Sequence, residues 1–464
     1  MTAPSDYDII VIGAGQAGVP FSMASAKAGL STALVEREHV AGTCINEGCT
    51  PTKTMVASAR VAHVARGAER YGVATGPVSV DMARVRERKR DIVNSWRAGS
   101  EGRLEAAAGL DLVMGEARFV GAHEVEVDLL AGGTRVLSAE RIVINAGARP
   151  TIPVLPGLTG VPYLTSTSVM ELDVVPQHLV VLGGGYVAVE FAQMFARFGS
   201  EVTIVQRGGQ LLSREDPDIA AEMTAVLRRS GVEVMLGSTA RSVDREEAGR
   251  IRLTVEIDGG PQIVEGSHLL VAVGRTPNSD TLDLGAAGIE VDRHGFIVTN
   301  DRLETGVPGI YAAGDIKGGP AFTHISYDDF RVLRSNLLQG GDVTIAGRLV
   351  PYAAFTDPEL GRVGLTETEA RAQGRNIRVA AMPMARVARA LEMDEAQGVM
   401  KAVVDADTDQ ILGAAVLGVA GGELVSLIQM AIMGGIPASR LREAVFIHPT
   451  LAESLNNLFG SWRE

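Results

Sequence analysis

Residues 7–18 read Tyr7-Asp8-Ile9-Ile10-Val11-Ile12-Gly13-Ala14-Gly15-Gln16-Ala17-Gly18. The first half is a short apolar run with the composition of a buried strand. The second half is a glycine-rich turn, after which a helical apolar pattern continues through Ala28 and a second strand runs from Thr32 to Glu36. The same order recurs later in the chain: His178-Leu179-Val180-Val181-Leu182, then Gly183-Gly184-Gly185-Tyr186-Val187-Ala188, a helix through Phe198 and a strand from Val202 to Gln206. Glycines in such a turn let a pyrophosphate approach the backbone, and the free N–H groups opening the helix attract its charge. One glycine motif is a weak signal, open to coincidence. Two copies, each between strand and helix, mark two dinucleotide sites, with Gly13, Gly15 and Gly18 at the first and Gly183, Gly185 and Ala188 at the second.

The ends of the second strands assign the ligands. Glu36, about 20 residues after the first turn, is placed to accept from a ribose 2′-hydroxyl and would repel a 2′-phosphate. The corresponding residue in the second unit is Gln206, followed by Arg207. An amide and a guanidinium suit a 2′-phosphate, so this site should prefer NADPH, with NADH less favoured. An ordinary exposed arginine is the alternative for Arg207, and Arg214 is a second candidate for the phosphate. Further on, Thr305-Gly306-Val307-Pro308-Gly309-Ile310-Tyr311-Ala312-Ala313-Gly314-Asp315 reads as turn, buried strand and Gly-Asp terminus. Asp315 is there either a ligand for a sugar-like hydroxyl or a helix N-cap.

The chain has 464 residues, enough for about three domains. Hydrophobic residues make up 46% and charged residues 21%, values that exclude a disordered chain, a collagen and a coiled coil. With 43 basic and 56 acidic residues the net charge is −13 and no basic stripe exists, so nucleic acid and anionic membranes are poor partners. The opening Met1-Thr2-Ala3-Pro4-Ser5-Asp6 has no basic or apolar leader character, and no apolar window reaches the ~18 residues of a spanning helix. The expectation is a cytoplasmic protein without a membrane partner. In a reducing compartment its two cysteines, Cys44 and Cys49, do not count as a structural bridge and become functional suspects.

The segment Gly42-Thr43-Cys44-Ile45-Asn46-Glu47-Gly48-Cys49-Thr50-Pro51-Thr52-Lys53, both glycine turns, the Tyr311 to Asp315 stretch and His448-Pro449-Thr450 with Glu453 resemble the flavoprotein disulfide reductases over essentially the whole chain. This family includes glutathione reductase, dihydrolipoamide dehydrogenase and mercuric reductase. The resemblance implies an α/β fold with two Rossmann-like dinucleotide-binding domains and a C-terminal α+β dimerisation domain. Residues 1–150 and 276–345 would bind FAD, 151–275 NAD(P)H, and 346–464 would form the interface. It also implies that Cys49 is the thiolate against the flavin and Cys44 the thiol that attacks a substrate disulfide. Lys53 would lie by the flavin, paired with Glu190, Tyr186 would cover the nicotinamide pocket, and Asp315 would hold the ribityl chain. Gly42, Thr43 and Gly147 join the FAD residues and Gly274 those of the nucleotide. His448 would come from the other subunit, which makes the homodimer obligatory.

The residues support this chemistry. The cysteines precede an amphipathic helix expected from Lys53 to about Glu69, whose N-terminus favours a thiolate. Joined, they would form a small ring that a hydride equivalent opens; two buried cysteines acting as small hydrophobes are the alternative. A thiol leaving a mixed disulfide needs a proton, for which His448, oriented by Glu453, is suited; otherwise it is a surface histidine. Near the C-terminus, Gly398 to Asp405 and Gln410 to Gly418 read as a hairpin and Glu423 to Met433 as a helix, with Met430 and Met433 filling the core or a dimer interface.

No residue selects the substrate. The C-terminal cysteine pair of mercuric reductase is missing, Met23 stands where glutathione reductases have an arginine, and Gln206 where dihydrolipoamide dehydrogenase has an acid. A small disulfide is the expected substrate and no metal site is expected. A metal-ion or quinone reductase and a dihydrolipoamide dehydrogenase-type subunit of a larger complex are the alternatives.

Overall fold

The computed structural model describes residues 6–246 and 249–463. Met1 to Ser5, on which the expectation about a leader rests, and Glu464 lie outside them. The chain forms two compact units, one gathering the chain through Thr54, Glu87–Thr151 and Arg275–Arg348, the other Met55–Arg86, Ile152–Gly274 and the chain from Leu349.

The first unit is built on a sheet whose parallel strands run Leu110–Gly121, Thr32–Glu36, Tyr7–Ile12, Thr134–Ile144 and Ile310–Ala312. Strand Tyr7–Ile12 is central, pairing Ile10 with both Ala33 and Ile142. It can lie there because Ile9, Ile10 and Val11 are fully buried, each contributing about 1.5–3 kcal/mol. The two longest strands extend beyond the parallel region and pair with Glu124–Leu129 as an antiparallel meander. Helix Gly18–Lys27 follows the first strand, and Phe21 enters an apolar cluster with Ile9, Val11 and Leu34.

The second unit repeats this scheme. Its parallel sheet has the order Val232–Met235, Glu201–Val205, His178–Leu182, His268–Val271 and Tyr163–Leu164, with helix Tyr186–Phe198 after the central strand. An antiparallel three-stranded sheet lies between Thr239 and Gly266. The C-terminal part is a five-stranded antiparallel sheet in which Val399–Asp405 and Ile411–Gly418 form the expected hairpin. Helix Gly421–Met433 buries Leu424, Val425, Ile428 and Ala431 in the cluster that also holds Val363 and Val416.

The expected helix from Lys53 starts earlier, as Cys49–Gly67, so that Cys49 is its first residue rather than a residue ahead of it. Pro51 does not end it. Proline lacks an N–H and has a fixed φ, and in the first turn neither costs an intrahelical bond. Cys44 lies in a separate short helix, Gly42–Asn46, entered through Ala41 at φ 74°. Among the described residues no helix is long and apolar enough to cross a membrane.

Candidate active site

The two glycine turns solve the same steric problem. Gly13 has φ +101°, and a Cβ there would come 2.4 Å from Asn145 O; Gly183 has φ +117°, and a Cβ there would come 2.3 Å from Ala272 O. Each first glycine thus lets the turn cross the neighbouring strand end, where only hydrogen fits. A Cβ at Gly18 would meet Gly13 O at 2.0 Å, whereas the second turn carries the fully buried Ala188 at the matching place. Neither helix Gly18–Lys27 nor helix Tyr186–Phe198 has a side-chain cap at its N-terminus, which leaves amides directed at an incoming anion.

In the first unit Glu36 Oε2 accepts from Ala14 N at 2.8 Å and Oε1 accepts from Glu38 N at 2.9 Å. The carboxylate is anchored beside the turn with lone pairs to spare for ribose hydroxyls. Gly15 lies so close to Gly42 that a Cβ on Gly42 would come 2.7 Å from Gly15 Cα, which brings Gly42 and Thr43 over the turn. Gly147, at φ +68°, borders open space. Burial pushes the Asp315 carboxyl above its usual range, more than Arg275 and Lys317 pull it down. Arg275 Nε is 3.8 Å from Asp315 Oδ2, and this buried nitrogen makes no hydrogen bond in the chain. A glycine cradle, an anchored acid and a half-buried Asp–Arg pair with unused hydrogen-bonding capacity fit a flavin dinucleotide.

The same unit carries the dithiol. Cys44 and Cys49 are not joined in a disulfide, and Cys49 is the more exposed. The Cys44 thiol is driven far above the ordinary thiol range, first by its hydrogen bond to Cys49, then by burial and by charge on Cys49; Thr323 and Lys53 pull the other way. Cys49 stands first in its helix, where the free amides and the dipole favour a thiolate. Thr323 Oγ1 lies 3.4 Å from Cys49 Sγ. Nothing in the sequence marks Thr323, which comes from a distant helix, Thr323–Leu338. Asn145 was also missed. It accepts from Gly18 N at 2.9 Å and donates to Ala313 O at 2.7 Å, tying the first turn to the strand that leads to Asp315.

The second unit holds the remaining candidates. Tyr186 opens its helix and donates to Glu215 Oε1 at 3.0 Å. Glu190, buried on the same helix, accepts from Phe355 N at 2.8 Å. Gln206 lies over the second turn, where a Cβ on Gly184 would come 2.9 Å from its Cγ, while Arg207 and Arg214 are exposed. Gly274 has φ +134°. His448 Nδ1 is 2.8 and 3.0 Å from the two Glu453 oxygens, an arrangement that fixes the ring and leaves Nε2 for proton transfer. The His448 side chain is 69% exposed.

Two dinucleotide cradles, and an adjacent-cysteine dithiol in the unit with the first, define an oxidoreductase that moves electron pairs between a pyridine nucleotide and a dithiol–disulfide couple. The chain belongs to the pyridine nucleotide-disulphide oxidoreductase family: the family's sequence profile matches residues 7–329, and that of its dimerisation domain matches residues 350–459. It is an FAD-dependent enzyme that also uses a pyridine nucleotide.

The probable pyridine nucleotide-disulfide oxidoreductase RclA of Escherichia coli (strain K12) is 38% identical over 458 residues, covering 98% of this chain and 99% of RclA. A mercuric reductase of Bacillus cereus is 37% identical over 97% of this chain and 70% of its own length. A dihydrolipoyl dehydrogenase of Haloferax volcanii is 34% identical over 97% of this chain and 94% of its own. The solved structure described as the Cu(II) complex of HOCl-induced flavoprotein disulfide reductase RclA from Escherichia coli has a TM-score of 0.90 at 38% identity, covering 98% of this chain and 99% of that one.

Proposed function

We propose that the enzyme takes electrons from NADPH in preference to NADH and delivers them through Cys49 and Cys44 to a small disulfide. Residues 1–150 and 276–345 serve FAD, 151–275 the nucleotide, and 346–464 the dimer contact. The observation that carries this reading is the hydrogen-bonded Cys44–Cys49 pair beside Thr323 and Lys53. FAD, when bound, accepts hydride from the nucleotide and hands an electron pair to the disulfide. The chain's own residues do the rest. Glu36 and Asp315 hold hydroxyls of the cofactor, and the amides of the first turn hold its pyrophosphate. Cys49 holds the negative charge until it attacks Cys44 in the mixed disulfide, which re-forms the Cys44–Cys49 disulfide and expels the second substrate thiol with a proton from water; before that, Cys44 gives up its proton and attacks the substrate disulfide to expel the first. His448 of the partner subunit, oriented by Glu453, takes that proton and returns it to the departing thiol.

Gln206 and Arg207 support the NADPH preference, since neither repels a 2′-phosphate and Arg207 is exposed to meet one. Arg207→Glu should reverse it, with kcat/KM for NADPH falling about 10- to 100-fold while that for NADH holds. Equal kcat/KM for both nucleotides in the wild type would refute the preference.

A second reading, direct reduction of a metal ion such as Cu(II) by the dithiol, gains support from the cupric complex of the Escherichia coli relative. Assays with glutathione-type, mycothiol-type and lipoamide disulfides and with Cu(II) and Hg(II), in wild type and His448→Ala, separate the two. Disulfide turnover should fall about 10²- to 10⁴-fold in the variant. Metal reduction that survives in His448→Ala and fails in Cys44→Ser, with no disulfide turned over by the wild type, would establish the second reading instead.

A further inference from the structure

We infer that Glu215 is a positioning residue, the latch that holds the Tyr186 ring closed and releases it without being left unpaired. The inference rests on the reading of Tyr186 as the cover of the nicotinamide pocket. Tyr186 packs edge-on against Tyr352, with centroids 5.4 Å apart and planes at 69°. The two hydroxyls donate to the same atom, Glu215 Oε1, at 3.0 and 2.7 Å. The other oxygen, Oε2, takes Arg362 Nε at 2.6 Å, and the side chains of Glu215 and Arg362 are 0% and 3% exposed. A carboxylate cut off from water must keep donors, because water cannot replace a lost one.

Two of its three donors are fixed. Tyr352 and Arg362 stand directly opposite each other on paired antiparallel strands, Tyr352–Ala354 and Glu359–Gly364, so they present to Glu215 from one rigid face. Tyr186 comes from a separate element, at the first residue of its helix. Turning the Tyr186 ring aside therefore gives up its bond to Glu215 and its contact with Tyr352, and leaves Glu215 with Tyr352 on Oε1 and Arg362 on Oε2. The cover opens without unpairing Glu215 and has a charged acceptor waiting when it returns.

The arrangement predicts opposite signs for two substitutions. Tyr352→Phe keeps the ring and the Glu215–Arg362 pair but makes Tyr186 the last donor to Oε1, so opening becomes harder. The Kd for NADP⁺ and the KM for NADPH should rise roughly three- to tenfold, with kcat changed less. Glu215→Gln replaces the charged acceptor with a neutral one and loosens the latch, so both constants should fall by a similar factor. Binding is measured by calorimetry of NADP⁺ into the FAD-loaded enzyme, with Tyr186→Ala alongside. If Tyr186→Ala leaves Kd unmoved, the cover reading itself fails. If Tyr186→Ala moves Kd while Tyr352→Phe leaves it unchanged or lowers it, the latch is overturned. Should Glu215→Gln fail to fold, the sign in Tyr352→Phe decides alone.

Discussion

Cys44 and Cys49 have the same side chain, and the proposed scheme gives them opposite tasks, for which their surroundings differ. Cys49 opens a 19-residue helix and meets the Thr323 hydroxyl, whereas Cys44 is more buried and hydrogen-bonded to Cys49. Thr323 lowers the Cys44 pKa against the three larger effects that raise it. Thr323→Val keeps the side-chain shape and deletes that hydrogen bond, so the Cys44 pKa should rise further and its thiolate fraction at any given pH should fall. Alkylation of Cys44 in the NADPH-reduced enzyme by iodoacetamide, followed by peptide mass analysis, should then be several-fold slower than in wild type and catch up only at higher pH. An unchanged rate would remove Thr323 from the site. The cysteines and His448 stand out as candidates in the sequence because each lies in a compact local pattern. Thr323, Tyr352, Arg362 and Glu215 could not, since their meaning comes from partners that only the folded chain brings together.

At the level of elements, local pattern foretold the strands well. Tyr7–Ile12, Thr32–Glu36 and His178–Leu182 have the expected bounds because continuous apolar runs between turn residues leave few alternatives. Helix Cys49–Gly67 was harder, because a proline in its first turn looks like a boundary. Its middle is anchored by charge: Arg60 Nη1 lies 2.8 Å from Asp357 Oδ1, and the buried Arg197 bonds Asp357 Oδ2 at 2.5 Å. Burial alone would raise the Asp357 pKa, but Arg197 and Arg60 outweigh it and hold the carboxyl below its usual range. A carboxyl depressed by folding contributes stability above its unfolded pKa, and that stability is lost as pH falls through the folded value. Asp357→Asn should therefore lower stability at neutral pH by about 3 kcal/mol, the low end for removing one partner of a buried pair. It should also flatten the acid side of the stability profile. Urea midpoints by circular dichroism between neutral pH and the carboxylate range test this, and a parallel, undiminished acid limb in the variant would contradict it.

The whole molecule shows the duplication most plainly: two parallel sheets, each with a glycine turn at the end of its central strand and an uncapped helix after it. The dimer contact follows from what the chain leaves exposed. Met430 and Met433 on helix Gly421–Met433 are 64% and 65% exposed, which excludes the core as their place, and Leu427, Val445 and Ile447 are exposed with them. A family dimerisation domain covers this region. Met430→Lys with Met433→Glu should split the dimer in sedimentation velocity. Disulfide reduction should drop about 10²-fold with it, as His448 is withdrawn from the shared site, while bleaching of the flavin by NADPH continues. A fully active monomer would refute the composite site.

The central claim is that electrons from the nucleotide come to rest on the Cys44–Cys49 pair with the negative charge on Cys49. Anaerobic titration of the FAD-loaded enzyme with NADPH tests it most directly. A long-wavelength absorption band should appear in the wild type as NADPH is added, be present before any NADPH in Cys44→Ser, where the lone Cys49 thiolate already meets oxidised flavin, and be absent from Cys49→Ser. A wild type without the band, or a Cys49→Ser variant that keeps it, would contradict the account.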